Sequence, residues 1–311
     1  MAETEVSGDE PNPALSHSVP VIDRVAVDPT VLASFTTESD FTSLAVSLMV
    51  ETASYCCVAA GTLGQSQTWD RDRAAIGGNM VRQYKLLDSF LDQIFKHRDE
   101  TSMIIARLVF ETTVNIRFLI KHFSKELIDS YVIQSLRHER KLRDTVRENV
   151  ENRGGIILPI EDRILQSVER AARGAGVDLD NVNLKDKRPW GGKNVFEKTR
   201  DVGLERIYSA AFGGGSHSVH GNWQDIYANH LEWDEGRNDF TPKLKWRWPR
   251  PQVITSFALV INETVKIYFQ FMGGSELSDH FDPLLDDLHG RVLELIDAHE
   301  KYLSGKQWPN I

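Results

Sequence analysis

Met103-Ile-Ile-Ala-Arg-Leu-Val-Phe-Glu-Thr-Thr-Val-Asn-Ile-Arg-Phe118 is the stretch that decides the fold class of this chain. Its large apolar residues Met103, Phe110, Val114 and Phe118, flanked by Ile104 and Leu119, return at the spacing of one helix face rather than in the alternation of a strand. A helix turns by about 100° per residue, so Arg107 and Glu111 fall on that same stripe. Burying charge is costly unless it is paired. The spacing therefore predicts a helix over about 100–123 with an i, i+4 ion pair turned into the core of a bundle.

Working outward, the same period recurs on both sides. Phe41, Leu44, Leu48, Met49, Ala53 and Cys56 predict a helix entered at Asp40, and Met80, Tyr84, Leu87, Phe90, Leu91 and Phe95 predict a second. Downstream, Leu127, Tyr131, Leu136 and Leu142 carry a helix from 125 to 152, whose charge-dense run Arg137–Asp144 is expected to be solvated and laced with short-range ion pairs. Further helices are expected at about 159–173, 195–202, 204–227, 251–272 and 279–303, the 251–272 helix opening on Pro251. The Trp-, Asp- and Pro-rich segment 229–250 has room for one small β-hairpin. The expected architecture is all-α: a multi-helix bundle over 31–311, with a core motif region at 87–223, C-terminal helices at 251–304, and a disordered or loosely docked tail at 1–30, where prolines and acids dominate.

Bulk properties narrow the class. The chain has 311 residues, 41% of them hydrophobic, enough for a substantial core. Apolar runs such as Phe257–Ile261 fall far short of the roughly 20 residues of a membrane span, so no membrane partner is expected. No secretory leader is read at the N-terminus, and Cys56 and Cys57 are adjacent, which points to a cytoplasmic, reducing setting. A net charge of −9 argues against a surface that coats nucleic acid generally, while leaving room for a local basic patch.

The site candidates cluster at Tyr208-Ser-Ala-Ala-Phe-Gly-Gly-Gly-Ser-His-Ser-Val-His-Gly-Asn-Trp223. Three successive glycines inside a helix cost about 1 kcal/mol each relative to alanine and call for a reason such as close backbone approach or a kink. His217 and His220, at i, i+3, can face one metal or one substrate, but no third ligand at metal spacing accompanies them. Neither a metal nor a cofactor is expected. An imidazole beside Arg107, Glu111 and Tyr208 would titrate near pH ~6.5 and could exchange a proton. These five residues form the candidate catalytic or binding cluster, with a purely structural polar core as the alternative reading.

The ordered set Arg107-x-x-x-Glu111, Trp190 leading into Phe196-Glu-Lys-Thr-Arg-Asp-Val-Gly203, Tyr208, and then Ser216, His217 and His220-Gly221 resembles a bacterial family of helical proteins catalogued as a domain of unknown function, DUF5677. The resemblance covers about Leu87 to Trp223. It implies a mostly helical fold whose polar motif residues converge, and it supplies no reaction; Gly221 favours His220 as the family histidine. A shorter match, Arg117-x4-His122, resembles the helical ribonuclease toxins of the HEPN type, which would imply RNA cleavage by a homodimer. Lys243-Leu-Lys-Trp-Arg-Trp-Pro-Arg250 alternates cations with aromatics as single-strand binders do, although strict alternation equally predicts a surface hairpin with Trp246 and Trp248 packed inward. Three classes stay open: a ligand-binding or interaction protein in stress or phage defence, a metal-independent ribonuclease, and a nucleic-acid binder. Their partners would be a small ligand, RNA or a second copy of the chain.

Overall fold

A computed structural model describes residues 21–63 and 67–307. Most of the expected tail, 1–20, lies outside the described residues. The segment 21–28 is not loose: Val25 N donates to Glu51 Oε2 at 2.8 Å, its carbonyl accepts from Arg291 at 2.6 Å, and Arg24 pairs with Asp287. A short helix, α1 (Pro29–Ala33), continues from this strap.

Four elements make the main core: α2 (Glu38–Gly61), α3 (Arg71–Phe95), α4 (Asp99–Lys121) and the C-terminal α11 (Pro251–Gly305). Thr37, not Asp40, caps α2; Asp40 sits three residues later and completes a reciprocal capping box with the Thr37 backbone. The stripes that predicted these helices meet one another, with Phe41, Met49, Met80, Phe90, Phe110, Val114, Tyr268 and Phe269 fully or nearly fully removed from water. Each such side chain contributes about 1.5–3 kcal/mol of transfer free energy. α2 is long and apolar enough by composition to cross a membrane, yet half of that window is buried inside the fold; its Ser- and Thr-rich face hides it from a count of apolar runs.

The two expected C-terminal helices are the halves of α11. Gly274 breaks it with φ 60°, ψ −147°, a conformation closed to other residues. The halves then run back along each other, with Phe269 stacked on Phe281 at 4.2 Å and Lys266 Nζ on Asp286 at 2.6 Å.

α5 (Lys125–Asn152) and α6 (Pro159–Ala175) form an arm around a separate small cluster of Leu136, Val168, Ala172, Leu179 and Val182. Here the expectation of a solvated charged face is corrected. Arg137 donates to the Leu184 carbonyl at 2.7 Å, Arg140 to the Asp180 carbonyl at 2.8 Å, and buried Arg143 to the Asp180 carboxylate at 2.6 Å. The connection 178–184 offers unpaired carbonyls, and the arginines satisfy them.

The chain then returns along α4 through α7 (Val195–Asp201), α8 (Glu205–Tyr208) and α9 (Gly214–His220). Between α8 and α9, Ser209–Gly213 form a π-helical turn with helical backbone angles, so the helix runs unbroken from Glu205 to His220 and stops at Gly221, φ 54°. The helix expected as far as 227 therefore ends earlier; Asn222 caps a fresh turn, α10 (Trp223–Asp225), followed by a second π-turn at Ile226–His230. The β-hairpin is present as β1 (Leu231–Asp234) paired antiparallel with β2 (Asp239–Pro242).

Candidate functional site

The motif residues line one seam on α4, read in opposite directions by the two segments. Trp190 packs edge-on to Phe118 at 5.6 Å; Tyr208 lies 6.4 Å from Phe110; the Arg107 guanidinium covers the Phe212 ring at 4.3 Å; and Gly214 and Gly215 meet Met103 and Arg107. A Cβ on Gly215 would come within 2.7 Å of both Arg107 Cβ and the Met103 carbonyl oxygen, whereas one on Gly213 would meet nothing within 4 Å. Of the glycine triplet, the third position is thus the one that lets two backbones touch.

The expected Arg107–Glu111 ion pair does not form. Arg107 rests on Phe212, with one guanidinium nitrogen buried and without a hydrogen-bond partner. The charge of Glu111 acts instead on Lys198, which is 2% exposed and whose Nζ sits 3.1 Å from the centre of the Trp190 ring. Burial pulls the Lys198 amine down to about 7, against the opposing pull of Glu111. Tyr208 stacks on Phe212 at 5.0 Å and meets Phe196 edge-on. Aromatic faces and a third charge, not mutual neutralisation, accommodate the two ions.

The histidines do not join Arg107, Glu111 and Tyr208. His217 is exposed, its Nδ1 accepting from Asn222 Nδ2 at 2.5 Å, and His220 is exposed at the end of α9. The π-turn explains the difference, because it adds a residue to the turn and rotates everything after it by about 100° relative to a regular helix.

At the lower end of the seam lies a polar pocket of about 220 Å³, lined by the first turn of α4, by α9 and α10, and by the run 247–253. His217 is on its wall. Asp225 is its buried hub, accepting from Ser218 Oγ at 2.8 Å and Asn229 Nδ2 at 2.9 Å, with His230 at 3.3 Å. Arg247 bridges across, its guanidinium 3.2 Å from Asp99 and from Asn229, and its backbone N–H donating to Glu100 Oε1. Desolvation raises the Asp99 carboxyl above the ordinary range, opposed by Arg247 and Arg250. Glu100 is 8% exposed and its second oxygen, Oε2, has no hydrogen-bond partner. None of these acids stands out in the sequence, where Asp99 and Glu100 read as ordinary first-turn carboxylates.

With this geometry in place, the comparison with known families is decisive on kinship: the family of unknown function DUF5677 matches residues 73–238, more than half of the chain. The chain belongs to that family. A search of curated proteins and a search of solved structures return no match. The DUF5677 segment contains the whole α4 seam and most of the pocket, but Arg247 and Arg250, and the α2 and α11 helices that complete the core, lie outside it.

Arg117 and His122, the HEPN-like pair, point to different neighbours. Arg117 donates to Thr264 Oγ1 and the Val260 carbonyl, both at 2.8 Å, and burial brings it down to about 10. His122 lies 3.0 Å from Asp201, which also takes Lys121 and Lys193. The two side chains of the motif are therefore committed to α11 and α7 respectively. The run 243–250 follows the hairpin rather than forming it, and its alternation has the opposite phase to that expected. Arg247 turns in toward Asp99, while Trp246 and Trp248 are 51% and 60% exposed. Burying Asp99 and Glu100 demands a cation, which fixes the phase. Among the described residues, no three His, Cys, Asp or Glu side chains are grouped to hold a metal ion.

Proposed function

We propose that this DUF5677 protein binds a small polar molecule in the pocket beneath α9, through Glu100 at one end and Arg250 at the other. One observation carries the reading: Glu100, more than nine-tenths buried, lines the pocket, and its Oε2 has no donor to satisfy it. An unsatisfied buried acceptor of this kind costs about 1–3 kcal/mol, more if charged, which a ligand N–H or O–H would recover. Arg250, exposed and with no carboxylate within ion-pair distance among the described residues although its charge reaches Asp99, borders the same pocket and suits an anionic group. A ligand with a hydrogen-bond donor at one end and a carboxylate or phosphate at the other fits both, and a volume of about 220 Å³ limits it to the size of an amino acid or a nucleoside monophosphate.

In this reading Arg107, Tyr208 and Phe212 hold the seam above the pocket, and Gly215 lets α9 approach α4 closely enough for His217 and Ser218 to line the cavity. His217 accepts from Asn222 through Nδ1, which leaves Nε2 as a donor toward a ligand. The test is thermal denaturation of the protein with free amino acids and with nucleoside monophosphates. Stabilisation that rises with ligand concentration in the wild type and is lost in Glu100→Gln supports the proposal; an unchanged midpoint with every probe, or an equal rise in Glu100→Gln, removes it.

A further inference from the structure

The inverted phase of 243–250 leaves an exposed ridge that the pocket does not use. Leu244, Trp246 and Trp248 project outward, Leu244 being 89% exposed. Two residues apart in an extended chain, the two tryptophans have Cα atoms roughly 6–7 Å from each other. Each ring is held from one side by a flat partner: Arg98 lies over Trp246 at 5.5 Å, and His97 packs on Trp248 at 4.1 Å. His97 adopts a left-handed backbone conformation, φ 53°, at the α3–α4 corner that carries both partners. Exposed tryptophan is normally disfavoured, and a pair held at fixed spacing marks a recognition surface.

Charge selects the partner. Arg98 and Lys245 are exposed at this ridge and neither has an acidic partner among the described residues, while the nearby acids Asp99 and Glu100 are buried and turned toward Arg247. Cations without counterions around two open π-faces match a polyanion that carries flat bases, and not an apolar peptide, which would leave both charges unused. Duplex nucleic acid keeps its bases stacked internally and offers the indoles nothing. We propose that Trp246 and Trp248, flanked by Arg98 and Lys245, form a stacking platform for single-stranded nucleic acid.

The ridge stands apart from the pocket, and the two are tested separately. Fluorescence polarisation of the full chain with labelled oligouridylate, oligodeoxythymidylate and a duplex of mixed sequence reads strand binding directly. Both single strands are expected to bind more tightly than the duplex; a preference between them identifies RNA or DNA as the natural strand. Two cations on the backbone imply a log–log salt slope of about −1.4, falling to near zero in Arg98→Ala/Lys245→Ala. Trp246→Ala and Trp248→Ala should each weaken binding about tenfold or more. Because Trp248 packs on His97, Trp246→Ala carries the test alone if Trp248→Ala does not fold. No single-strand binding at low salt, unaltered affinity in Trp246→Ala, or equal binding of duplex overturns the proposal. So does a dimer in sedimentation that Trp246→Ala dissolves without any oligonucleotide binding, which would assign the ridge to self-association.

Discussion

Gly213→Ala and Gly215→Ala are the same chemical change two residues apart in one helix, and the seam geometry requires them to act in opposite directions. Both positions have ordinary right-handed helical or near-helical backbone, so in each case alanine gains about 1 kcal/mol of helix propensity over glycine. At Gly213 the new methyl meets nothing within 4 Å, and the gain should appear whole. At Gly215 it meets the Met103 carbonyl oxygen and Arg107 Cβ, both at 2.7 Å, and neither can swing aside because one is backbone and the other is fixed to it. Relief requires α9 to lift off α4, at an overpacking cost of about 3 kcal/mol, the upper end of the usual range. The net expectation is stabilisation by about 1 kcal/mol for Gly213→Ala and destabilisation by about 2 kcal/mol for Gly215→Ala. Urea unfolding followed by circular dichroism measures both through the shift in midpoint at constant slope. The same displacement would move His217 and Ser218 away from the pocket, so ligand-induced stabilisation should fall in Gly215→Ala and persist in Gly213→Ala. A Gly215→Ala protein as stable as the wild type would refute the close-approach account of the triplet.

Three further outcomes are expected from contacts elsewhere in the fold. Lys198, held near 7 when folded against 10.5 as its ordinary value, binds fewer protons folded than unfolded between those limits. Stability should therefore rise as pH climbs from about 7 toward 10, and Lys198→Met should flatten the rise and stabilise the protein at neutral pH, as read from urea midpoints at pH 7 and 9. Removing one partner of the buried Glu51–Arg291 pair, which also fastens Val25, should cost about 3–5 kcal/mol in Arg291→Ala, with much of it recovered in Glu51→Gln/Arg291→Met; a loss under about 1 kcal/mol in the single variant would contradict the pairing. Asn262 is fully buried with neither its amide nitrogen nor its oxygen hydrogen-bonded, so Asn262→Leu should raise stability by about 1 kcal/mol or more, and a fall would show that the amide has a partner in solution.

The helices were legible because their apolar residues repeat at one period and because two ends carry chemistry, Pro251 at a first turn and Gly176 beyond the last turn of α6; the Ser124 cap of α5 emerged only with the structure. The break in α11 was legible as the gap between the expected helices at 251–272 and 279–303, and the structure places it at Gly274. What sequence could not give was competition between partners. An i, i+4 Arg107–Glu111 pair looks complete until Phe212 and Lys198, about ninety to a hundred residues later, arrive with better surfaces. The π-turn at Ser209–Gly213 has no spacing signature, so the direction of His217 and His220 could not be read from their i, i+3 relation. Alternation in 243–250 defined two faces but not which one is inside; that choice belongs to Asp99 and Glu100, far away in the chain. The pocket itself has no sequence signal, because its acids are unremarkable where they stand and become unusual only once buried.

Glu100 and Arg250 should act as the two ends of one binding site, and isothermal titration of the best-stabilising probe against wild type, Glu100→Gln, Arg250→Ala and the double variant tests that directly. A single site predicts a loss of about tenfold or more in each single variant, with the double variant losing less than the product of the two because the ligand's grip at one end depends on the other. Undiminished affinity in Glu100→Gln would contradict it.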